Sequence, residues 1–118
     1  MTREFANQFA LEWIQAWNSK DINTIMSHYA EDFEMTSPII MSLVNEASGT
    51  IKGKDAITKY WSKAIKTNPN LHFTLVNVFI GVTSILINYK GHRGLSSEVL
   101  HFNANNKVNR AYAHYIQE

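Results

Sequence analysis

Apolar side chains open the chain at three- and four-residue steps. Phe5, Phe9, Trp13, Ala16 and Trp17 fall on one stripe, the spacing of an amphipathic helix. Thr2 stands at its N-cap, Glu4 and Glu12 on its polar side, and Asn18-Ser19-Lys20 ends it. Asp21 predicts the N-cap of a second short helix, with Ile22, Ile25, Met26 and Tyr29 as its apolar side. Glu31-Asp32 reads as a turn that Asp32 caps or closes. The period then falls to two. Phe33-Glu34-Met35-Thr36-Ser37 alternates as a strand, and Pro38 suits its end or an edge position. Residues 39–48 read as a loop covering the domain, and Gly49-Thr50-Ile51-Lys52-Gly53 as a short extended piece. Lys54 or Asp55 opens a third helix with Ala56, Ile57, Tyr60, Trp61, Ala64 and Ile65 on its apolar face, and Asn68-Pro69-Asn70 stops it.

The remainder reads as strands over 71–80, 82–90, 95–103 and 107–116. Gly81 lies near the first turn, Gly91-His92-Arg93-Gly94 forms a hairpin turn, and Asn105-Asn106 tolerates the positive φ of a tight one. Helices first, then hairpin-connected strands, indicates an α+β fold with an antiparallel sheet and helices on one face.

Composition narrows the function classes. The 118 residues predict one domain over 1–118 with a core of its own. Net charge is +1, and the 11 Lys and Arg form no dense patch, so no nucleic-acid partner is expected. With no cysteine there is no disulfide framework, thiolate metal site or Cys nucleophile. The histidines at 28, 72, 92 and 101 lack metal-ligand spacing, and no metal or cofactor is called for. No apolar run nears the ~20 residues that cross a bilayer. Met1-Thr2-Arg3-Glu4-Phe5 lacks the apolar stretch of a signal peptide. A cytoplasmic protein without membrane contact is expected.

Several segments carry a resemblance. Trp13-Ile14-Gln15-Ala16-Trp17-Asn18, Asp21, Tyr29-Ala30-Glu31-Asp32-Phe33, Ser37-Pro38, Gly49-Thr50-Ile51-Lys52-Gly53-Lys54-Asp55-Ala56-Ile57, Tyr60-Trp61 and Lys107-Val108 resemble the nuclear-transport-factor-2-like superfamily, in its SnoaL-like and ketosteroid-isomerase-like branch. The likeness implies a cystatin-like α+β cone: three N-terminal helices packed on a curved, mainly antiparallel sheet, with a pocket between. It also implies a homodimer through the sheet's outer face. Isomerase chemistry in that branch needs a carboxylate base, a phenol and a protonated carboxylic acid. The matching positions hold Ser37, Trp13 and Leu100, none able to serve, so ketosteroid isomerisation is not expected. The fold hosts many other activities and pure binding modules, so it does not fix the function.

Strand alternation then sorts the side chains. Carried onto this sequence, the inward phase is Phe33, Met35 and Ser37; Thr83, Ile85, Ile87 and Tyr89; Glu98, Leu100 and Phe102; and Ala111, Ala113 and Tyr115. Leu86, Asn88, Lys90, Ser97, Val99, His101, Arg110, Tyr112 and His114 point outward. Glu98 is then a carboxylate in an apolar setting, costly unless paired or protonated. That suits a general acid or base, unless the register is off and it faces solvent. His114 joins it as a catalytic candidate only if a β-bulge reverses the last strand. Trp13, Trp17, Tyr29 and Trp61 converge as ligand walls or as plain core. Met35, Ser37, Ile87, Tyr89, Leu100, Phe102 and Tyr115 complete the expected lining. The expected ligand is a small, mostly apolar molecule; the alternative is a non-catalytic binding or dimeric interaction module.

Overall fold

The computed structural model describes residues 1–116. Helix α1 spans Arg3–Ser19, α2 Ile22–Met26, α3 Pro38–Leu43 and α4 Lys54–Thr67. Strands are β1 Tyr29–Thr36, β2 Thr50–Lys52, β3 Thr74–Ile80, β4 Ser84–Gly91, β5 Gly94–Phe102 and β6 Val108–Tyr115. They form one sheet in the order β2-β1-β6-β5-β4-β3. Only the β1–β6 pair is parallel. The pairing slips within β1–β6, β3–β4 and β5–β6, and such irregularities bend the strands that carry them. The fold is therefore the expected α+β arrangement of helices on a curved, mainly antiparallel sheet.

Local chemistry sets the helix ends. The Thr2 hydroxyl accepts from Phe5 N at 3.1 Å and Asp21 Oδ1 from Asn23 N at 3.0 Å, each satisfying a donor that the first turn leaves open. Lys20 closes α1 in the left-handed region at φ 60°. Gly53 precedes α4 at φ 94°, a backbone state that glycine alone enters without strain. Its N–H donates to Phe33 O at 2.8 Å, pinning the start of α4 to β1.

Four local expectations change. Tyr29 begins β1 instead of ending α2, because its backbone has the parallel partner Val108. Glu31 and Asp32 are exposed strand residues, not a turn, and the β1–β6 register shifts across them. The segment read as a covering loop contains α3: Ser37 leaves the strand and caps it, with Ile39 N donating to Ser37 Oγ at 3.2 Å and Pro38 in the first turn. The expected three helices are thus joined by a fourth short one. Thr83, expected inward, is an exposed residue of the β3–β4 turn.

The core fills the space between α1, α2, α4 and the inner sheet face. Trp13, Tyr29, Phe33, Ile57, Ile87 and Leu100 are at most 2% exposed. Phe9 meets Phe102 edge-on at 4.8 Å, and Tyr29 meets Trp61 at 5.1 Å. No helix among the described residues is long and apolar enough to cross a membrane.

Candidate functional site

Three rows cross the inner face of the sheet. The first pairs Leu75, Tyr89, Ser96 and Tyr115; the second Val78, Ile87, Glu98 and Ala113; the third Ile80, Ile85, Leu100, Ala111 and Met35. Glu98 therefore stands mid-sheet, one step from two phenols and a serine. Its cross-strand neighbour on β6 is the small Ala113, which leaves room beside it.

That room opens into a cavity of about 500 Å³, within the usual range for small-molecule sites. Trp13, Trp17, Trp61 and Phe73 form aromatic wall. Met35, Tyr60 and Leu71 extend it, and Tyr89, Ser96, Glu98, Ser37 and Tyr115 supply polar groups. Phe73 stacks on Trp13 at 5.7 Å and 20°, and lies 4.6 Å from Tyr89. Trp17 and Trp61 meet edge-on at 4.9 Å.

Glu98 is 4% exposed. Burial pushes its pKa up to about 8, with the Tyr89 phenol pulling the other way. The group is thus a neutral carboxylic acid at pH 7, able to give a proton, and a base once ionised. Burial, then the nearby Glu98 charge, raises Tyr29 and Tyr89 far above the usual phenol range and pushes Tyr115 up to about 12. These phenols stay neutral and can donate.

Two indoles differ. Trp13 Nε1 donates to Tyr29 Oη at 2.9 Å, so that N–H is spent inside the core. Trp17 Nε1 is buried without a hydrogen-bond partner among the described residues, although it lies close enough to the Tyr29 phenol to favour its ionised form slightly.

Of the expected ligand contacts, Trp13, Trp17, Met35, Ser37, Trp61, Tyr89 and Tyr115 line the cavity, and so does Glu98. Tyr29, Ile87, Leu100 and Phe102 do not. They point inward as expected but are covered by other side chains: Tyr29 by Trp13, Phe33 and Trp61, and Phe102 by Phe5 and Phe9. His114 also leaves the site. It is exposed on the outer face, its Nδ1 3.1 Å from Tyr112 O, because β6 pairs without a slip from Ser96–Tyr115 to His101–Arg110.

Some lining residues were not singled out from the sequence. Ser96 was within reach, since it shares a face with Glu98 two positions away. Phe73 was not. Before β3, it is held by Asn18, whose Oδ1 accepts from Phe73 N at 2.7 Å while Nδ2 donates to Phe73 O at 2.9 Å. Nothing local to Phe73 predicts a clamp from 55 residues away. The sequence pattern sets Tyr60 on the apolar face of its helix and Arg93 in a turn, and neither position alone points into the site.

Comparison with known proteins agrees with this architecture. The family model described as SnoaL-like domain matches residues 10–108. A SnoaL-like protein of unknown function from Burkholderia thailandensis is similar at 45% identity over 97% of this chain and 96% of its own, with TM-score 0.94. At 14% identity the likeness is one of fold alone. An NTF2-like protein of unknown function from Cytophaga hutchinsonii covers 93% of this chain and 88% of its own, TM-score 0.71. A cystatin-like-fold protein of unknown function from Methylobium petroleophilum covers 100% and 80%, TM-score 0.77. No curated protein matches the chain.

Proposed function

Because the chain belongs to the SnoaL-like family, we propose that its cavity binds a small, mostly apolar, aromatic molecule and that Glu98 exchanges a proton with it, without a cofactor. One observation carries this reading: the only carboxylic acid among the described lining residues sits on the floor of an aromatic chamber, held neutral at pH 7. A buried acid with a pKa near the working pH is suited to take a proton from carbon or give one to a leaving oxygen. Isomerisation, cyclisation and dehydration all need that step. In an enolisation, ionised Glu98 takes the proton α to a carbonyl, and the C–H electron pair moves into the enolate. A neutral phenol such as Tyr89 donates a hydrogen bond to the enolate oxygen, and Glu98 returns the proton.

The test uses 2-tetralone, a bicyclic aromatic ketone, in heavy water, with α-deuterium exchange followed by NMR. The protein is expected to accelerate exchange beyond buffer, with a rate that climbs as pH rises through about 8. Glu98→Gln is expected to remove the acceleration. Equal exchange with and without protein, while the ketone still quenches the cavity tryptophans, would favour the second reading, a non-catalytic binding module. That reading is favoured by the occupants of the isomerase positions: Ser37 is engaged as the α3 cap, Trp13 is bonded to Tyr29, and Leu100 is buried.

The outer sheet face is proposed as a homodimer interface. Its register aligns Phe79, Leu86, Val99 and Tyr112 in one row across four strands, and Phe79 is 56% exposed. The adjacent row, Asn77, Asn88, Ser97 and His114, holds no Lys, Arg, Asp or Glu, with Asn88 donating to Asn77 at 2.6 Å. A lone apolar row of this kind is stabilised when a second copy covers it. Light scattering at micromolar concentration is expected to give a dimer mass for the native chain and a monomer mass for Phe79→Asp, since a charge there would be buried unpaired. A native monomer would refute it.

A further inference from the structure

The mouth of the cavity has a charge asymmetry that the proton-transfer reading leaves unused. Its charged or titratable lining residues beyond Glu98 and the phenols are Lys63 on α4 and His92 and Arg93 in the β4–β5 turn. Lys63 and His92 are exposed and Arg93 is half-buried. Among the described residues no ionised carboxylate lines the cavity at pH 7. The Arg93 guanidinium lies 5.8 Å above the Tyr115 ring, a stacking contact that orients the fork without neutralising it. Its charge reaches inward and opposes the rise that burial imposes on Tyr60 and that burial and Glu98 impose on Tyr115. Among the described residues no Asp or Glu lies within ion-pair distance of Arg93. Its Nε is buried with no hydrogen-bond partner among the described residues. A half-buried guanidinium with no ion-pair partner among the described residues, beside an aromatic chamber whose described lining holds no counter-charge, suits an anion.

We propose that the mouth is an anion subsite, in which Arg93 receives the carboxylate of an aromatic acid whose ring lies among Trp13, Trp17 and Phe73. This rests on the pocket reading above and adds the substrate class: a flat, mainly apolar molecule carrying a carboxylate at the solvent end. The opposite, inner end presents its reacting atoms to Glu98. The arrangement also fixes which way round the molecule enters. A carboxylate at the inner end would meet Glu98 and Tyr89 with no cation, whereas at the mouth it meets Arg93, with Lys63 and His92 nearby.

The experiment compares 2-naphthoate with 2-naphthamide, which share shape and differ in charge, by isothermal titration at pH 7 and low salt. The native protein is expected to bind the naphthoate about tenfold more tightly or better, the usual worth of a hydrogen bond to a charged group. The preference should shrink as salt rises. In Arg93→Gln it should vanish while naphthamide affinity is kept, and Arg93→Lys should recover part of it. Equal binding of the two probes by the native protein, or a preference that survives in Arg93→Gln, would overturn the subsite and leave the pocket standing. Failure of both probes to bind the native protein would overturn the pocket reading and the subsite together.

Discussion

Glu98→Gln is expected to be more stable than the native protein at pH 9 and about equal to it at pH 5. The carboxyl has a pKa of about 8 when folded against an ordinary value of 4.5, because burial disfavours its charge. Folding therefore takes up a proton anywhere between those two values. The contribution is fully present below about pH 4.5 and is lost as pH rises to about 8. The slope for one proton is about 1.4 kcal/mol per pH unit. Across the window the native protein gives up on the order of 4 kcal/mol relative to a side chain that stays neutral, a large share of a small domain's stability. Glutamine keeps the shape and cannot ionise, so its profile should lack this segment. Urea unfolding of both proteins at pH 5, 7 and 9 checks it. Parallel profiles would mean that Glu98 is hydrated, and the proton-transfer proposal would fall with its premise.

Leu100→Ala is expected to cost about 2–5 kcal/mol of stability, the range for removing a fully buried leucine. Leu100 is 0% exposed and lies in the inner row with Ile85, Ala111 and Met35. It shares the inward phase of β5 with Glu98, yet only Glu98 reaches the cavity. At a temperature where the variant stays folded, its affinity for 2-naphthamide should match the native value. Denaturant midpoints read the first effect and titration the second. A large loss of affinity with little loss of stability would make Leu100 a wall of the site and extend the cavity beneath Glu98.

These two neighbouring residues mark the boundary of what could be read from the chain. Alternation placed Ile85, Ile87, Tyr89, Glu98, Leu100, Phe102, Ala111 and Ala113 on the buried face and Tyr112 and His114 on the other, as found. The helical stripe of Trp13 and Trp17 and the caps at Thr2 and Asp21 were equally legible. All of these are set by periods of two or 3.6 residues and by hydrogen bonds within a few positions.

What escaped was set by partners far along the chain. Tyr29 joins a strand because Val108 pairs with it, and Phe73 becomes a wall because Asn18 holds its backbone. Arg93 reaches the mouth because a hairpin turn folds it over Tyr115. Tyr29, Ile87, Leu100 and Phe102 end as core and not as lining because of which rings cover them. The sequence alone thus determined the direction each side chain leaves its own strand or helix. Only the tertiary structure decided which inward side chains meet packing and which meet open space, since that depends on the distance to another element, and no local period encodes it.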